Sequence, residues 1–183
     1  MGMSQNQIGF IGAGNMGGAL LAGIQAKKPE MSTAAYDILP AACEKARKLG
    51  ATVYASIEEL VQESEMIVIA VKPQYFGDVF PHIREALQER KKIISITPGF
   101  DFQYLHEKLG DNAVFTRTIP NMPAMVGAGI TLMSFEEALT PQERQEIRSV
   151  FECVGTVTEI PEHLLDAGMT GSSASPAFTY MYI

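Results

Sequence analysis

The stretch Ile8-Gly9-Phe10-Ile11-Gly12-Ala13-Gly14-Asn15-Met16-Gly17 joins a short apolar run to a helical pattern, and it decides the fold class. Its Gly-x-Gly-x-x-Gly spacing is weak evidence alone, but it is specific between a strand and a helix. Gly12 permits the tight turn, Gly14 lets a pyrophosphate approach the backbone, and Gly17 lets the helix pack closely on the strand. We therefore expect the N–H groups of the first helical turn to bind the phosphates of a dinucleotide. The alternative is a turn that is glycine-rich for structural reasons alone.

Short apolar runs alternate with helical patterns along most of the chain. The predicted strands cover residues 7–11, 33–36, 52–54, 66–71, 92–96, 114–118, 130–133 and 156–159. The predicted helices cover residues 15–26, 40–49, 56–62, 76–87, 102–109 and 141–151, and Ser56 and Glu59 have the spacing of a capping box. This alternation predicts a Rossmann-type α/β fold, with a doubly wound, mostly parallel sheet and helices on both faces.

The last segment departs from this alternation. Residues 164–183 have the pattern of loop and helix and end in apolar side chains. Two explanations stay open: the segment packs against a partner subunit, or the natural protein is longer. We favour the second.

Composition and charge exclude several function classes. The chain has 183 residues, of which 46% are hydrophobic and 19% are charged, as in a globular protein with a buried core. The formal net charge of −7 argues against binding of nucleic acid, which needs a basic face. The sequence contains no signal-peptide pattern and no apolar run long enough to span a bilayer. We therefore expect a cytoplasmic protein without a membrane partner.

The cysteines and histidines do not predict a metal centre. Cys43 and Cys153 lack metal-ligand spacing and lie in apolar-periodic stretches, so we expect two buried thiols. The three histidines, His82, His106 and His163, are far apart in the sequence. We predict no metal site.

Asp37 follows the second predicted strand, twenty residues after Gly17. A carboxylate at this place accepts hydrogen bonds from the ribose hydroxyls and repels a 2′-phosphate, which favours NAD over NADP. Lys45 and Arg47 lie too far along the chain to be convincing phosphate ligands. Asp37 could instead cap the helix that begins near Pro40, and both interpretations stay open.

Three further loops follow predicted strands, where ligands bind in sheets of this kind. The first is Ala70-Val71-Lys72-Pro73-Gln74, in which Lys72 is either a cation at the strand tip or a solvated side chain. The second is Ser95-Ile96-Thr97-Pro98-Gly99. In the third, Arg117–Ala124, prolines on both sides of Asn121 hold its amide in a stiff loop, which favours a functional role.

With these motifs in place, the sequence resembles the pyrroline-5-carboxylate reductases from Ile8 to about Phe178. The specific matches are Ala70-Val71-Lys72-Pro73-Gln74, Pro120-Asn121-Met122-Pro123-Ala124 followed by Val126-Gly127-Ala128-Gly129, and Asp166-Ala167 leading to Ser175-Pro176-Ala177. The chain departs from the family at Met122, where threonine is usual, and at Ser173-Ala174-Ser175, where Gly-Ser-Gly is usual.

The resemblance implies reduction of 1-pyrroline-5-carboxylate to L-proline, with NADP or NAD as the coenzyme. Many family members prefer NADPH, which conflicts with the Asp37 argument. The resemblance also implies a coenzyme domain over residues 1–163 and, from residue 164, the start of an all-helical domain that forms homo-oligomers. The substrate-binding residues would lie beyond Ile183, so the catalytic residues stay unassigned and the chain by itself could be inactive.

The predicted coenzyme site combines the glycine turn, Asp37 and two of the loops. Its residues are Ile11, Gly12, Ala13, Gly14, Asn15, Met16, Asp37, Ala70, Val71, Lys72, Pro73 and Asn121. Two other functions stay open: a dehydrogenase of the β-hydroxyacid type, and a module that binds the dinucleotide without catalysis.

Overall fold

Eight strands form one sheet in the computed structural model, which describes residues 6–179 and 181–182. The strands are β1 (Asn6–Ile11), β2 (Thr33–Tyr36), β3 (Thr52–Val53), β4 (Ser64–Ile69), β5 (Lys91–Ser95), β6 (Ala113–Pro120), β7 (Gly129–Phe135) and β8 (Gly155–Glu159). Their order across the sheet is β3-β2-β1-β4-β5-β6-β7-β8. All neighbouring strands are parallel except β6 and β7, so the predicted Rossmann-type, mostly parallel α/β fold is confirmed.

Helices connect most of the strands. They are α1 (Asn15–Lys27), α2 (Pro40–Lys48), α3 (Ile57–Gln62), α4 (Phe76–Ala86), α5 (Phe102–Leu109), α6 (Pro141–Phe151), α7 (Leu165–Met169) and α8 (Ser175–Thr179). A π-helical turn, Thr170–Ala174, joins the last two. The predictions for α5 and α6 match their observed bounds.

The core lies on both faces of the sheet. On one face, Phe10 of β1 belongs to a buried cluster with Leu20 of α1 and Phe151 of α6. On the other face, Ile11 belongs to a cluster with Phe80 of α4. Burial on both faces explains why β1 and β4 have nearly continuous apolar sequences, as is usual for central parallel strands.

The fourth strand begins and ends earlier than its apolar run predicts. The sequence predicts a strand over residues 66–71, whereas β4 covers Ser64–Ile69. Ile69 pairs with Ile11, and the chain then turns out of the sheet at Gly12, so the pairing of β4 with β1 ends at that point. Ala70 and Val71 are therefore loop residues at the edge of the sheet.

The chain reverses direction between β6 and β7. Only residues 121–128 connect these strands, and a parallel crossover needs a dozen residues or more. The connection instead contains a short 3₁₀ helix, Met122–Val126, and β7 pairs antiparallel with β6. No helix in the described residues is long and apolar enough to cross a bilayer.

Side chains cap the N-termini of α3 and α6 in different ways. At α6, Thr140 and Glu143 form a complete capping box, which our sequence analysis missed. At α3, Ser56 accepts a hydrogen bond from the Glu59 N–H at 3.2 Å, but the Glu59 carboxylate accepts from Ala55 N–H. The capping box predicted at Ser56 is therefore only half formed.

The α6 cap is also tied to the loop before β5. Both carboxylate oxygens of Glu143 accept hydrogen bonds from Arg90, at 2.5 and 3.2 Å. The Arg90 hydrogen bond, with a smaller contribution from Thr140, lowers the pKa of Glu143 to about 2.

We expect Glu143→Gln to destabilise the protein at pH 7 by about 1 kcal/mol, because Gln can still complete the capping box but lacks the charge that pairs with Arg90. Because the native pKa lies below that of the unfolded chain, the stabilisation is present above pH 4.5 and is lost as the pH falls towards 2. Urea unfolding at pH 7, 4 and 3 should show the deficit of the variant shrinking. The exposed Glu137→Gln is the control, and a deficit for Glu143→Gln that does not change with pH would contradict this account.

Candidate functional site

The carboxyl ends of β1 and β4 form the point where the sheet changes winding direction. The chain passes from β1 outwards to β2 and β3, and then returns across β1 to β4. Helices on opposite sides of such a point leave a crevice above the strand ends, where ligands bind in doubly wound sheets. The glycine turn follows β1 and the loop Ala70–Gln74 follows β4, so the fold brings two predicted segments together.

The glycine turn has the geometry that its spacing predicts. Gly12 has φ = +99°, and an added Cβ there would lie 2.8 Å from the carbonyl oxygen of Ala70. A Cβ at Gly17 would lie 2.2 Å from the carbonyl oxygen of Gly12, whereas a Cβ at Gly14 would meet no atom within 4 Å. Two of the glycines are thus required by close packing, and the third faces open space that a ligand can fill.

The start of α1 offers donors without competing side chains. Its N-cap is Gly14, which makes no side-chain hydrogen bond, and its first turn has no acidic residue. The first N–H groups of a helix have no acceptor within the helix, and the helix dipole adds positive potential there. Gly14 and Asn15 are exposed, Met16 is half-buried, and Ile11 and Ala13 are buried. This end of α1 can therefore accept an anionic ligand.

Asp37 supports the turn from the side of β2. One carboxylate oxygen accepts the N–H of Ala13 at 2.8 Å, and the other accepts the N–H of Leu39 at 2.9 Å. The N-cap of α2 is Leu39, which has no side-chain cap, so Asp37 is not the capping residue of that helix. Each carboxylate oxygen keeps a second lone pair, which a hydroxyl group can use.

A cavity of about 200 Å³ lies next to Asp37. It is lined by Ile11, Gly12, Tyr36, Asp37, Ile38, Ile57, Val71, Tyr75, Asp78, Val79 and His82. Its outer wall was not predicted from the sequence; it consists of Tyr75, from the turn before α4, and of Asp78, Val79 and His82 of α4. These four recur at positions i, i+3, i+4 and i+7, a helical stripe that could have indicated them.

The loop after β4 divides between the interior and the surface. Val71 lines the cavity, and its carbonyl oxygen accepts a hydrogen bond from the Thr97 hydroxyl at 3.1 Å, which ties this loop to the one after β5. Lys72 and Pro73 are exposed and precede a 3₁₀ turn, Pro73–Tyr75. The structure therefore brings Ala70 and Val71 against the glycine turn and leaves Lys72 and Pro73 at the rim.

Asn121 is buried, and its amide is bonded within the protein. Its side-chain oxygen accepts the N–H of Ile130 at 2.9 Å, and its side-chain nitrogen donates to the carbonyl of Ser172 at 3.0 Å. These bonds connect the end of β6 to β7 and to the turn before α8. A second amide hydrogen remains for a ligand, so Asn121 has the geometry of a residue that positions its loop.

A larger cavity, of about 610 Å³, lies between α1 and α2. Alanine and leucine side chains form most of its wall, together with Lys45, Lys48 and the start of α1. The α2 helix runs from the carboxyl edge of the sheet back towards the amino edge, so this groove leads away from the strand ends. Asp37 lines only the smaller cavity, which is therefore the better candidate for the adenosine.

The cysteines are not paired, and no cluster of three metal-binding side chains occurs in the part of the chain that the structure describes. Burial raises the pKa of the Cys153 thiol. Cys43 is only half-buried, and its thiol donates to the Asp37 carbonyl at 3.2 Å, so its expected burial is a wrong prediction.

Known proteins resemble both the sequence and the fold. A pyrroline-5-carboxylate reductase of Methanosarcina acetivorans is 32% identical over 184 residues, which cover 99% of this chain and 68% of that protein. This chain belongs to the pyrroline-5-carboxylate reductase family. The resemblance inferred from the loop motifs is thereby confirmed.

Other comparisons agree with the family. Residues 7–99, from β1 into the loop after β5, match the family described as NADP oxidoreductase coenzyme F420-dependent. A crystal structure of Plasmodium falciparum pyrroline carboxylate reductase with NADP bound has a TM-score of 0.83 and 29% identity, over 99% of this chain and 67% of that one. Mycobacterium tuberculosis 3-hydroxyisobutyrate dehydrogenase has a TM-score of 0.76 at 16% identity, over 91% of this chain and 58% of that one. The last likeness concerns the fold alone.

Two alanine substitutions separate the packing role of the glycines from a role in binding. Gly17→Ala should destabilise the protein by about 1–3 kcal/mol, because its Cβ has no room. Gly14→Ala should cost less than about 1 kcal/mol, yet it should weaken dinucleotide binding at least about tenfold, because the methyl group would occupy the approach of the phosphates. Thermal unfolding and calorimetric titration with NADH and NADPH measure both effects. Unchanged affinity in Gly14→Ala would contradict the assigned binding place.

Proposed function

We propose that this chain acts as a pyrroline-5-carboxylate reductase, which reduces 1-pyrroline-5-carboxylate to L-proline with NAD(P)H. The observation that carries the proposal is the family relationship, at 32% identity over nearly the whole chain. The coenzyme motif alone would leave many dehydrogenases open. The loops after β4 and β6 favour this family over other dehydrogenases, because their motifs at residues 70–74 and 120–129 resemble the family's in order and spacing.

The residues around the glycine turn fit a dinucleotide. In our proposal the pyrophosphate lies over Gly12, Gly14 and the first turn of α1, and the adenosine enters the cavity beside Asp37. The glycine turn leaves free space at Gly14, where a ligand can approach, and has none at Gly17, where the helix packs. When bound, the reduced nicotinamide supplies the hydride that reaches C5 of the cyclic imine.

On the nicotinamide side, the chain contributes position rather than acid–base chemistry. The loops at residues 70–74, 95–99 and 117–124 contain no histidine and no carboxylate. A protonated imine is already electrophilic, so its reduction needs no strong side-chain acid. We propose that Val71 and Thr97 hold two loops together beside the nicotinamide, and that Asn121 fixes the third. Lys72 and Pro73 form the outer edge of this region.

Several further assignments belong to the same proposal. Residues 1–163 would form the coenzyme domain, and residues 164–183 would belong to a helical domain through which copies of the enzyme associate. Phe178 and Met181, at 62% and 79% exposure, would be covered in such an assembly. The unpaired cysteines fit a reducing compartment such as the cytoplasm.

Activity assays distinguish the proposed function from its two alternatives. We expect the purified protein to oxidise NADH or NADPH in the presence of 1-pyrroline-5-carboxylate and to form proline in equal amount. Formation of proline, measured by chromatography, confirms the reaction. Oxidation of 3-hydroxyisobutyrate without reduction of the imine would favour a β-hydroxyacid dehydrogenase. Coenzyme binding without turnover of either substrate would favour a non-catalytic module.

A further inference from the structure

We propose that this enzyme selects NADH over NADPH, because its adenosine cavity presents carboxylates and no cation to the place of the 2′-phosphate. The inference rests on the proposed function, since it assumes that the cavity beside Asp37 holds the adenosine. It goes further, because neither the family nor the fold decides between the two coenzymes.

The carboxylate of Asp37 is fixed in place. It accepts the backbone N–H groups of Ala13 and Leu39, one on each oxygen. A rotation away from an incoming phosphate would break both bonds and leave the Ala13 N–H, on a buried residue, without its acceptor. The protein therefore cannot remove the negative charge without disturbing the glycine turn itself.

A fixed carboxylate distinguishes the two coenzymes chemically. An ionised carboxylate only accepts hydrogen bonds, and the ribose hydroxyls of NADH can donate to the free lone pairs of Asp37. A 2′-phosphate carries about −1.5 to −2 charge near neutral pH and has few or no protons to donate. Repulsion between these groups acts in a partly buried cavity, where water screens it less than in bulk solution.

The other lining residues do not compensate for this charge. The cavity has a second carboxylate, Asp78, and its lining includes no lysine or arginine. Its single histidine, His82, is bonded to the Glu58 carboxylate. Ile38 follows Asp37 directly, is 73% exposed, and places an apolar side chain where a 2′-phosphate would need a cation.

The nearest basic residues along the chain lie elsewhere. Lys45 lines the groove between α1 and α2, and Arg47 is paired with Glu44. Lys45 lies five residues after the start of α2, which at 1.5 Å per residue places it about 7 Å along the helix, away from the strand ends. Lys72 lies in the chain between two residues that line the cavity, Val71 and Tyr75, but it is itself exposed and does not line the cavity. None of these three cations lines the cavity beside Asp37.

Binding of adenosine fragments tests the proposal without requiring turnover. We expect ADP-ribose to bind at least about tenfold tighter than 2′-phospho-ADP-ribose, equivalent to about 1.4 kcal/mol, and NADH to be preferred over NADPH by a similar factor. Asp37→Asn should reduce the ratio at least several-fold by removing the charge. Ile38→Arg should also reduce it, because it adds a cation on an exposed side chain and leaves Asp37 in place. Asp111→Asn, an exposed site at the amino edge of the sheet, makes the same charge change and should leave the ratio unchanged.

The outcomes separate this inference from the function on which it rests. Equal affinity for the two fragments, or tighter binding of the phosphorylated one, overturns NADH selectivity while reductase activity can stand. Selective binding of NADH without reduction of 1-pyrroline-5-carboxylate supports the inference and counts against the proposed reaction. Failure of folded protein to bind either fragment overturns both. If Asp37→Asn does not fold, an unchanged ratio in Ile38→Arg still contradicts the proposal.

Discussion

The close approach of the backbone at Gly12 to the backbone at Ala70 is the contact on which the rest of the site depends. A side chain at position 12 would collide with the Ala70 carbonyl, and the ends of β1 and β4 would have to separate. Because β1 lies between β2 and β4, the same turn also receives the Asp37 carboxylate on its Ala13 N–H. The glycine turn is thus held from both sides, and the open space at Gly14 keeps a defined shape.

This arrangement makes stability and recognition depend on the same groups. A hydrogen bond to a charged group contributes about 1.5–3 kcal/mol. Asp37 accepts two from backbone N–H groups, a partly buried one from Ala13 and an exposed one from Leu39. Because Asp37 stabilises the glycine turn, its replacement to accommodate another coenzyme would also cost stability. The cavity wall from α4 is less constrained, since Tyr75 is exposed and Asp78 lies on the outer side of the helix.

Local signals in the sequence predicted most of the secondary structure and the position of the coenzyme turn. The helices α5 and α6 were predicted to the residue, and in the structure both have well-defined starts, since the Asp101 side chain caps α5 and Pro141 is the first residue of α6. The hydrogen bonds that hold the site loops were harder to predict, because they join residues far apart in the chain. Asn121 bonds to Ser172, 51 residues away, and Asp37 bonds to Ala13, 24 residues away. The end of β4 also depends on its neighbour, since its apolar run continues past the point where β1 stops.

The most direct test of the account is a titration of isotope-labelled protein with NADH, followed by the backbone amide signals in proton–nitrogen correlation spectra. The account predicts that the largest changes occur at Gly14, Asn15 and Met16, with further changes at Ala70 and Val71. Largest changes at Ala42, Ala46 and Leu49 in the groove between α1 and α2, or no change at the glycine turn at saturation, would contradict it.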